Sequence, residues 1–265
     1  DHRDLHLSLR RQRQMCIRDS AATTGLITAT GVTTITGTAA AVKAVIDAEA
    51  DTGNAINLDT NFLVTITPAG TAAATDLSTI NTETSGLVTA TNVTNITGTL
   101  SAIKTVTDAE ADTGNAINLA TDFTITLDAG TAAVTDLSSL NSKTTGNINA
   151  QNITALTGTA AAINTFITTE ESDAGNGVNL DTDFTATVSD TNTVATHLST
   201  LNGNMAGLIT ATNVTNLTGT ISEVKAVTDA EADSGNAINL NTTFTATVSD
   251  NGSAAASDLS SISGK

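Results

Sequence analysis

The 265-residue sequence predicts an α/β protein, a repetitive solenoid of strand-helix coils with one parallel sheet. Three observations predict it. One phrase recurs four times, as TGLITATGVTTITGT (24–38), SGLVTATNVTNITGT (85–99), TGNINAQNITALTGT (145–159) and AGLITATNVTNLTGT (206–220). Its glycines Gly25, Gly86, Gly146 and Gly207 recur at a nearly constant interval of about 60 residues, so one unit is copied with almost no insertion. Within each unit, period-two and helix-period stretches alternate. The apolar residues are mostly Ala, Val, Ile and Leu in short clusters, with no Trp, no Tyr and five Phe, which suits a core one coil deep.

The second unit shows the elements in order. GLVTA (86–90) alternates apolar and polar residues behind a glycine, as a short strand does. TNVTNITGT then reads as a loop or a short helical turn. From Thr99, TLSAIKTVTDAEAD sets Ile103 and Val106 three apart among helix formers, which predicts a helix of about three turns with Thr99 as N-cap and Gly114 as C-cap. GNAINLAT is a loop with room for a third short strand. In FTITLDAG, Phe123, Ile125 and Leu127 alternate with Thr124 and Thr126, as in a half-exposed strand. TAAVTDLSSLNSKT spaces Val134, Leu137 and Leu140 as a second helix.

Strands separated by single helices run parallel with right-handed crossovers. Their starts alternate at about 36 and 25 residues, giving about eight coils, with helices on one face of the sheet and solvent on the other. Such long coils leave a parallel β-helix or tandem small β domains as the alternatives. The four repeats occupy about 25–85, 86–145, 146–206 and 207–265. Phe62, Phe123, Phe184 and Phe244 share one phase of the unit, and Phe166 stands where Val45, Val106 and Val227 stand elsewhere.

Residues 1–20 are a foreign or disordered arm. They hold all five Arg, Cys16 and two of the three His, and none of the repeat vocabulary. The string QRQMCIRDS resembles translated sequencing-adapter sequence, and the arm is set aside from the fold. A basic targeting arm is the alternative, although the segment lacks the apolar run of a signal peptide. Residues 21–265 carry 24 acidic and 5 basic residues, about −19 in charge. Such a body repels nucleic acid and anionic membranes and attracts multivalent cations. No apolar run approaches the roughly 20 residues of a membrane span. The acidic, Lys-poor, Thr/Asn/Ala-rich repeat reads as extracellular or cell-surface. The closing SDLSSISGK matches TDLSTINTETSG (75–86), as expected of a window from a longer chain whose partners are neighbouring repeats.

Three features bear on function. The first is a set of Thr-x-Thr pairs on predicted strands: Thr28/Thr30, Thr65/Thr67, Thr89/Thr91, Thr124/Thr126, Thr185/Thr187, Thr210/Thr212 and Thr245/Thr247, with Asn149 and Gln151 departing in the third unit. In a parallel stack the hydroxyls form two columns about 6.7 Å apart with rungs about 4.8 Å apart. That array resembles the ice-contacting face of TxT-type antifreeze solenoids, and ice or a surface glycan is the partner it suggests. The plain alternative is that Thr is a good solvent-facing strand residue.

The second is an acidic loop. Asp47, Glu49 and Asp51; Asp108, Glu110 and Asp112; Glu171 and Asp173; and Asp229, Glu231 and Asp233 precede the same glycine in each unit. Carboxylates in a last helical turn oppose the macrodipole and call for a counter-charge. The D-x-E-x-D spacing suits Ca2+, which takes oxygen ligands at alternate positions. The glycine falls one place late for an EF-hand, however, and the twelfth-position Glu is absent. A solvated acidic surface is the alternative.

The third is a lack of catalytic equipment. His197, the one histidine of the repeat body, replaces Asp76, Asp136 and Asp258 in a single unit, and no Cys-His, HExxH, GxSxG or P-loop pattern occurs. No catalytic or cofactor-binding residue is assigned, and the chain is expected not to be an enzyme. Asn-x-Thr sequons at Asn92, Asn95, Asn152, Asn213, Asn216 and Asn241 follow from the repeated phrase.

The phrases DLSxLNxxTxG, NVTxLTGT and GTAAAI resemble the Thr/Ala/Asp-rich repeat arrays of giant secreted or cell-surface, adhesin-like proteins of marine bacteria and cyanobacteria. The resemblance covers about residues 21–265. It implies a structural role as an adhesin stalk, surface coat or motility-associated layer, and it implies no particular functional residue.

Overall fold

The computed structural model describes residues 25–50, 56–110, 117–171, 177–231 and 238–264. The first unit runs β1 (Ile27–Thr28), β2 (Thr34–Gly37), α1 (Ala39–Ala50), β3 (Ile56–Asn57), β4 (Leu63–Ile66), β5 (Gly70–Ala73) and α2 (Ala74–Glu83). The second repeats it as β6 (Val88–Ala90), β7 (Val93–Gly98), α3 (Leu100–Glu110), β8 (Ile117–Leu119), β9 (Thr124–Leu127), β10 (Gly130–Ala133) and α4 (Val134–Asn141). The third is β11 (Ile148–Ala150), β12 (Ile153–Gly158), α5 (Ala160–Phe166), β13 (Val178–Leu180), β14 (Thr185–Val188), β15 (Asn192–Val194) and α6 (Ala195–Asn204). The fourth is β16 (Ile209–Ala211), β17 (Asn216–Gly219), α7 (Ile221–Glu231), β18 (Ile238–Leu240), β19 (Thr245–Val248) and α8 (Ala256–Ser263). The class is α/β, with strands and helices alternating along the chain and parallel strand pairing throughout.

The expected single sheet is corrected. Among the described residues the strands form five sheets, ordered β1-β3, β2-β4-β6-β8, β5-β7-β9-β11-β13, β10-β12-β14-β16-β18 and β15-β17-β19. The reason lies in two features of the unit. The phrase expected as a loop, VTNITG, is itself a strand, and the turn at Thr91 and Asn92 separates it from β6. The buried residues Val88 and Ala90 keep period two, but the next, Val93, breaks it, so the chain turns a corner there. Lateral spacing does the rest. Val64 pairs Val88, and Val88 pairs Ile117, so two lateral steps stop short of Ile125, the residue that repeats Val64 in the next unit. Each sheet therefore slips along the unit and ends, and another begins. INL (117–119) is the third short strand for which the sequence left room.

The helices form as expected. Thr38, Thr99, Thr159 and Thr220 cap α1, α3, α5 and α7, accepting from the backbone N–H of Ala41, Ala102, Ala162 and Glu223 at 3.1–3.3 Å. In α7 the Glu223 carboxylate accepts in return from the Thr220 N–H at 2.7 Å, a capping box. Gly114 lies outside the described residues. The extra residue of the third unit widens its helix into a π turn over Ile167–Glu171, where a single insertion is most easily absorbed. That of the first falls beside Pro68, where the Thr67–Pro68 peptide is cis.

One buried cluster runs through all four units. Phe62, Phe123 and Phe184 are buried at one phase, and Phe166 fills the position that Val106 and Val227 fill elsewhere. Between units, the Asn92, Asn152 and Asn213 side chains donate to the carbonyls of Ile66, Leu127 and Val188, the last residues of β4, β9 and β14.

Candidate functional site

The helix ends carry charge that the sequence reading left without a partner. Lys43 Nζ donates to Asp47 at 2.6 Å, Lys104 to Asp108 at 2.9 Å and Lys225 to Asp229 at 2.5 Å. Each partner stands about one helical turn on, so cation and carboxylate lie side by side on one face. The hydrogen bond to that Asp holds each ammonium above its ordinary pKa. A second carboxylate on the adjoining helix pulls the same way: Asp76 for Lys43, Asp136 for Lys104 and Asp258 for Lys225. Three units thus carry a cation between two carboxylates from adjacent helices.

The third unit changes all three positions together. Asn164, Thr168 and His197 stand where the others have Lys and two Asp. Asn164 Nδ2 donates to the His197 backbone carbonyl at 2.8 Å, so a neutral hydrogen bond joins α5 to α6. In the sequence His197 stands out only as a replacement of Asp in a single unit. It is one member of a linked exchange, and the Lys–x3–Asp spacing was the available signal.

Of the acidic-loop residues, Asp51, Asp112, Asp173 and Asp233 lie outside the described residues, as does the side chain of Glu171. Glu49 Oε1 accepts from the Leu58 N–H at 3.3 Å, tying the end of α1 to the chain after β3. Burial pushes the Glu110 carboxyl up, with the Lys143 ammonium pulling the other way. Glu231 sits half-buried at the end of α7. Among the described residues, no three His, Cys, Asp or Glu side chains come together to hold a metal ion.

The Thr columns are shorter than the sequence suggests. Thr30, Thr67, Thr91 and Thr212 fall just outside strands, whereas Thr124/Thr126, Thr185/Thr187 and Thr245/Thr247 keep both members on strands, and the ladders include Thr36-Thr65-Thr89-Asn118, Thr97-Thr126-Asn149-Asn179, Thr157-Thr187-Thr210-Asn239, Thr71-Asn95-Thr124 and Thr218-Thr247. Asn95 Oδ1 accepts from Thr124 at 3.0 Å and from Thr126 at 3.3 Å. These residues, with Asn147, Asn149 and Asn179, line a shallow groove of about 330 Å3. Asn147 replaces an exposed Leu of the other units (Leu26, Leu87, Leu208), and Asn149 replaces a Thr, so two departures of the third unit fall in one polar groove.

Fold and site together define an α/β protein with a repeated strand-helix structure. Compared with family models, curated proteins and solved structures, the chain matches none. No helix among the described residues is long and apolar enough to cross a membrane.

Proposed function

We propose that the chain is a non-enzymatic structural module, an α/β solenoid acting as an extracellular adhesin stalk or surface-layer spacer between neighbouring repeats of a longer protein. One observation carries this reading: the same side-chain contacts recur between successive units. The Asn92, Asn152 and Asn213 bonds each join one unit to the next, and in three units the lysine of the first helix also feels a carboxylate of the second. A chain that spends its specific interactions on its own continuation is built for length. Small-angle scattering of the dilute monomer is the test. A compact protein of this length has a radius of gyration of about 18 Å. A spacer should lie clearly above that value, and a result at it ends the reading.

The amide-lined groove favours a second reading, in which the module holds a neutral polysaccharide through Asn and Thr side chains. The Thr ladders suggest ice as the other ligand for this reading, and thermal hysteresis of the unmodified chain is its test. A glycan screen repeated with Asn149→Lys separates this role from the spacer role. Ca2+ shared by the loop carboxylates would add a clamp within each unit, and its sign is a higher melting temperature in calcium than in EGTA. Equal melts remove it.

A further inference from the structure

We infer that the third unit holds a binding site for a small neutral molecule with an apolar body and one hydroxyl group, seated where the end of α6 meets the π turn after α5. The inference goes beyond the spacer role and does not depend on it. A cavity of about 460 Å3 lies there, with Ile167, Thr182, Phe184, Asn204, Met205 and Ala206 in its lining. Small-molecule sites occupy about 300–1,000 Å3 and combine apolar walls with a few polar groups. No charged side chain lines this one among the described residues, so it suits a neutral ligand.

The other units show which groups this corner has exchanged. Thr84 and Thr144 donate to the Phe62 and Phe123 carbonyls and accept from the Gly86 and Gly146 N–H groups, and Met205 takes their place in the third unit. Ser85 and Thr145 donate their hydroxyls to the Thr60 and Thr121 carbonyls at 3.2 and 3.1 Å, and Ala206 takes theirs. Buried Thr107 and Thr228 donate to the Lys104 and Lys225 carbonyls, and Ile167 stands at that position. The first unit also has an isoleucine there, Ile46, but keeps Thr84 and Ser85. Of the three units whose three positions all lie in the chain, only the third has no hydroxyl at any of them. All three replacements line the one cavity. Ala206 has no γ atom, so the place of the Thr145 hydroxyl is open beside Thr182, the counterpart of Thr121. The ligand's hydroxyl takes that place and donates to the Thr182 carbonyl, while its apolar body lies against Met205 and Ile167.

Methyl NMR of the full chain tests this. Its two methionines are Met15 and Met205, so a chain labelled on the methionine methyls gives one signal from the cavity and one from the sequence before the repeats. The probes are cyclohexanol and cyclohexanone, which match in size but differ in that only the alcohol can donate a hydrogen bond. Cyclohexanol should move the Met205 signal to saturation and leave the Met15 signal in place. Cyclohexanone should bind about fivefold more weakly, the loss of one hydrogen bond. Ala206→Thr restores the hydroxyl that Thr145 carries, keeps the Met205 signal and should abolish the preference for the alcohol. A Met205 signal that does not move, equal movement of both methyl signals, equal affinity for the two probes, or a preference that survives Ala206→Thr overturns the proposal.

Discussion

Gly86 lies against the backbone carbonyl of Phe62, so closely that a methyl group on its α-carbon would overlap that oxygen. Gly146 and Gly207 meet Phe123 and Phe184 in the same way. The glycine that opens the repeated phrase is thus a packing requirement between half-units, since backbone cannot yield as a side-chain tip can.

We expect Gly86→Ala or Gly146→Ala to cost about 1–3 kcal/mol, the range for forced overpacking, read as a lower denaturant midpoint. Gly203 in helix α6 is the control, because nothing lies within 4 Å of its added methyl. Gly203→Ala should gain about 0.5–1 kcal/mol from helix propensity.

Thr144 fastens the same corner. Its buried hydroxyl donates to the Phe123 carbonyl and accepts from the Gly146 N–H at 3.0 Å. Thr144→Val keeps the shape and orphans both backbone groups, at about 1–3 kcal/mol. Thr144→Ser should recover most of it. Equal losses for Val and Ser would show that the methyl group, not the hydroxyl, matters.

The linked exchange at Asn164, Thr168 and His197 predicts strong non-additivity. Asn164→Lys alone loses the 2.8 Å bond to the His197 carbonyl and meets no carboxylate at either exchanged position. It should destabilise by about 1 kcal/mol. Adding Thr168→Asp and His197→Asp rebuilds the arrangement of the other units and should return stability near the starting value. A sum of single effects in the denaturant midpoints would contradict the linkage.

Alkaline pH should act through the lysines. The folded-state pKa of Lys43, Lys104 and Lys225 is raised above 10.5, so the folded chain holds these protons more tightly than the unfolded one. Their contribution is complete below pH 10.5 and disappears as pH rises through the folded value. A Lys104→Met chain should melt with a smaller alkaline decline than the parent. Glu110 has the same sign in the acid range. Its pKa is raised above 4.5 by burial, so its ionisation takes stability away as pH rises through the folded value. Glu110→Gln should melt higher at neutral pH, with the advantage fading below about pH 4.

Much of the local structure was legible in the sequence. Ile103 and Val106 announce their helix, Thr99 its start, and Phe123, Ile125 and Leu127 their strand, because each signal is carried by neighbours a few positions apart. The second strand VTNITG was missed because its Thr and Asn residues look like loop and the turn before it interrupts the alternation. The lysine-carboxylate clusters were missed whole: Lys104 and Asp108, one turn apart on a helix, could have been paired from their spacing, whereas the pull of Asp136 comes from the next helix.

Short-range geometry was enough to fix the repeat, its helices, the phase of its buried residues and the threonine caps. Which strand lies beside which is a tertiary matter. Two lateral steps from Val64 end at Ile117 and miss the equivalent Ile125, so the ladder drifts into successive sheets. That offset is set by where the chain can turn its corners and by the close seating of Gly86 on Phe62. Both join residues far apart along the chain, beyond the reach of any local pattern.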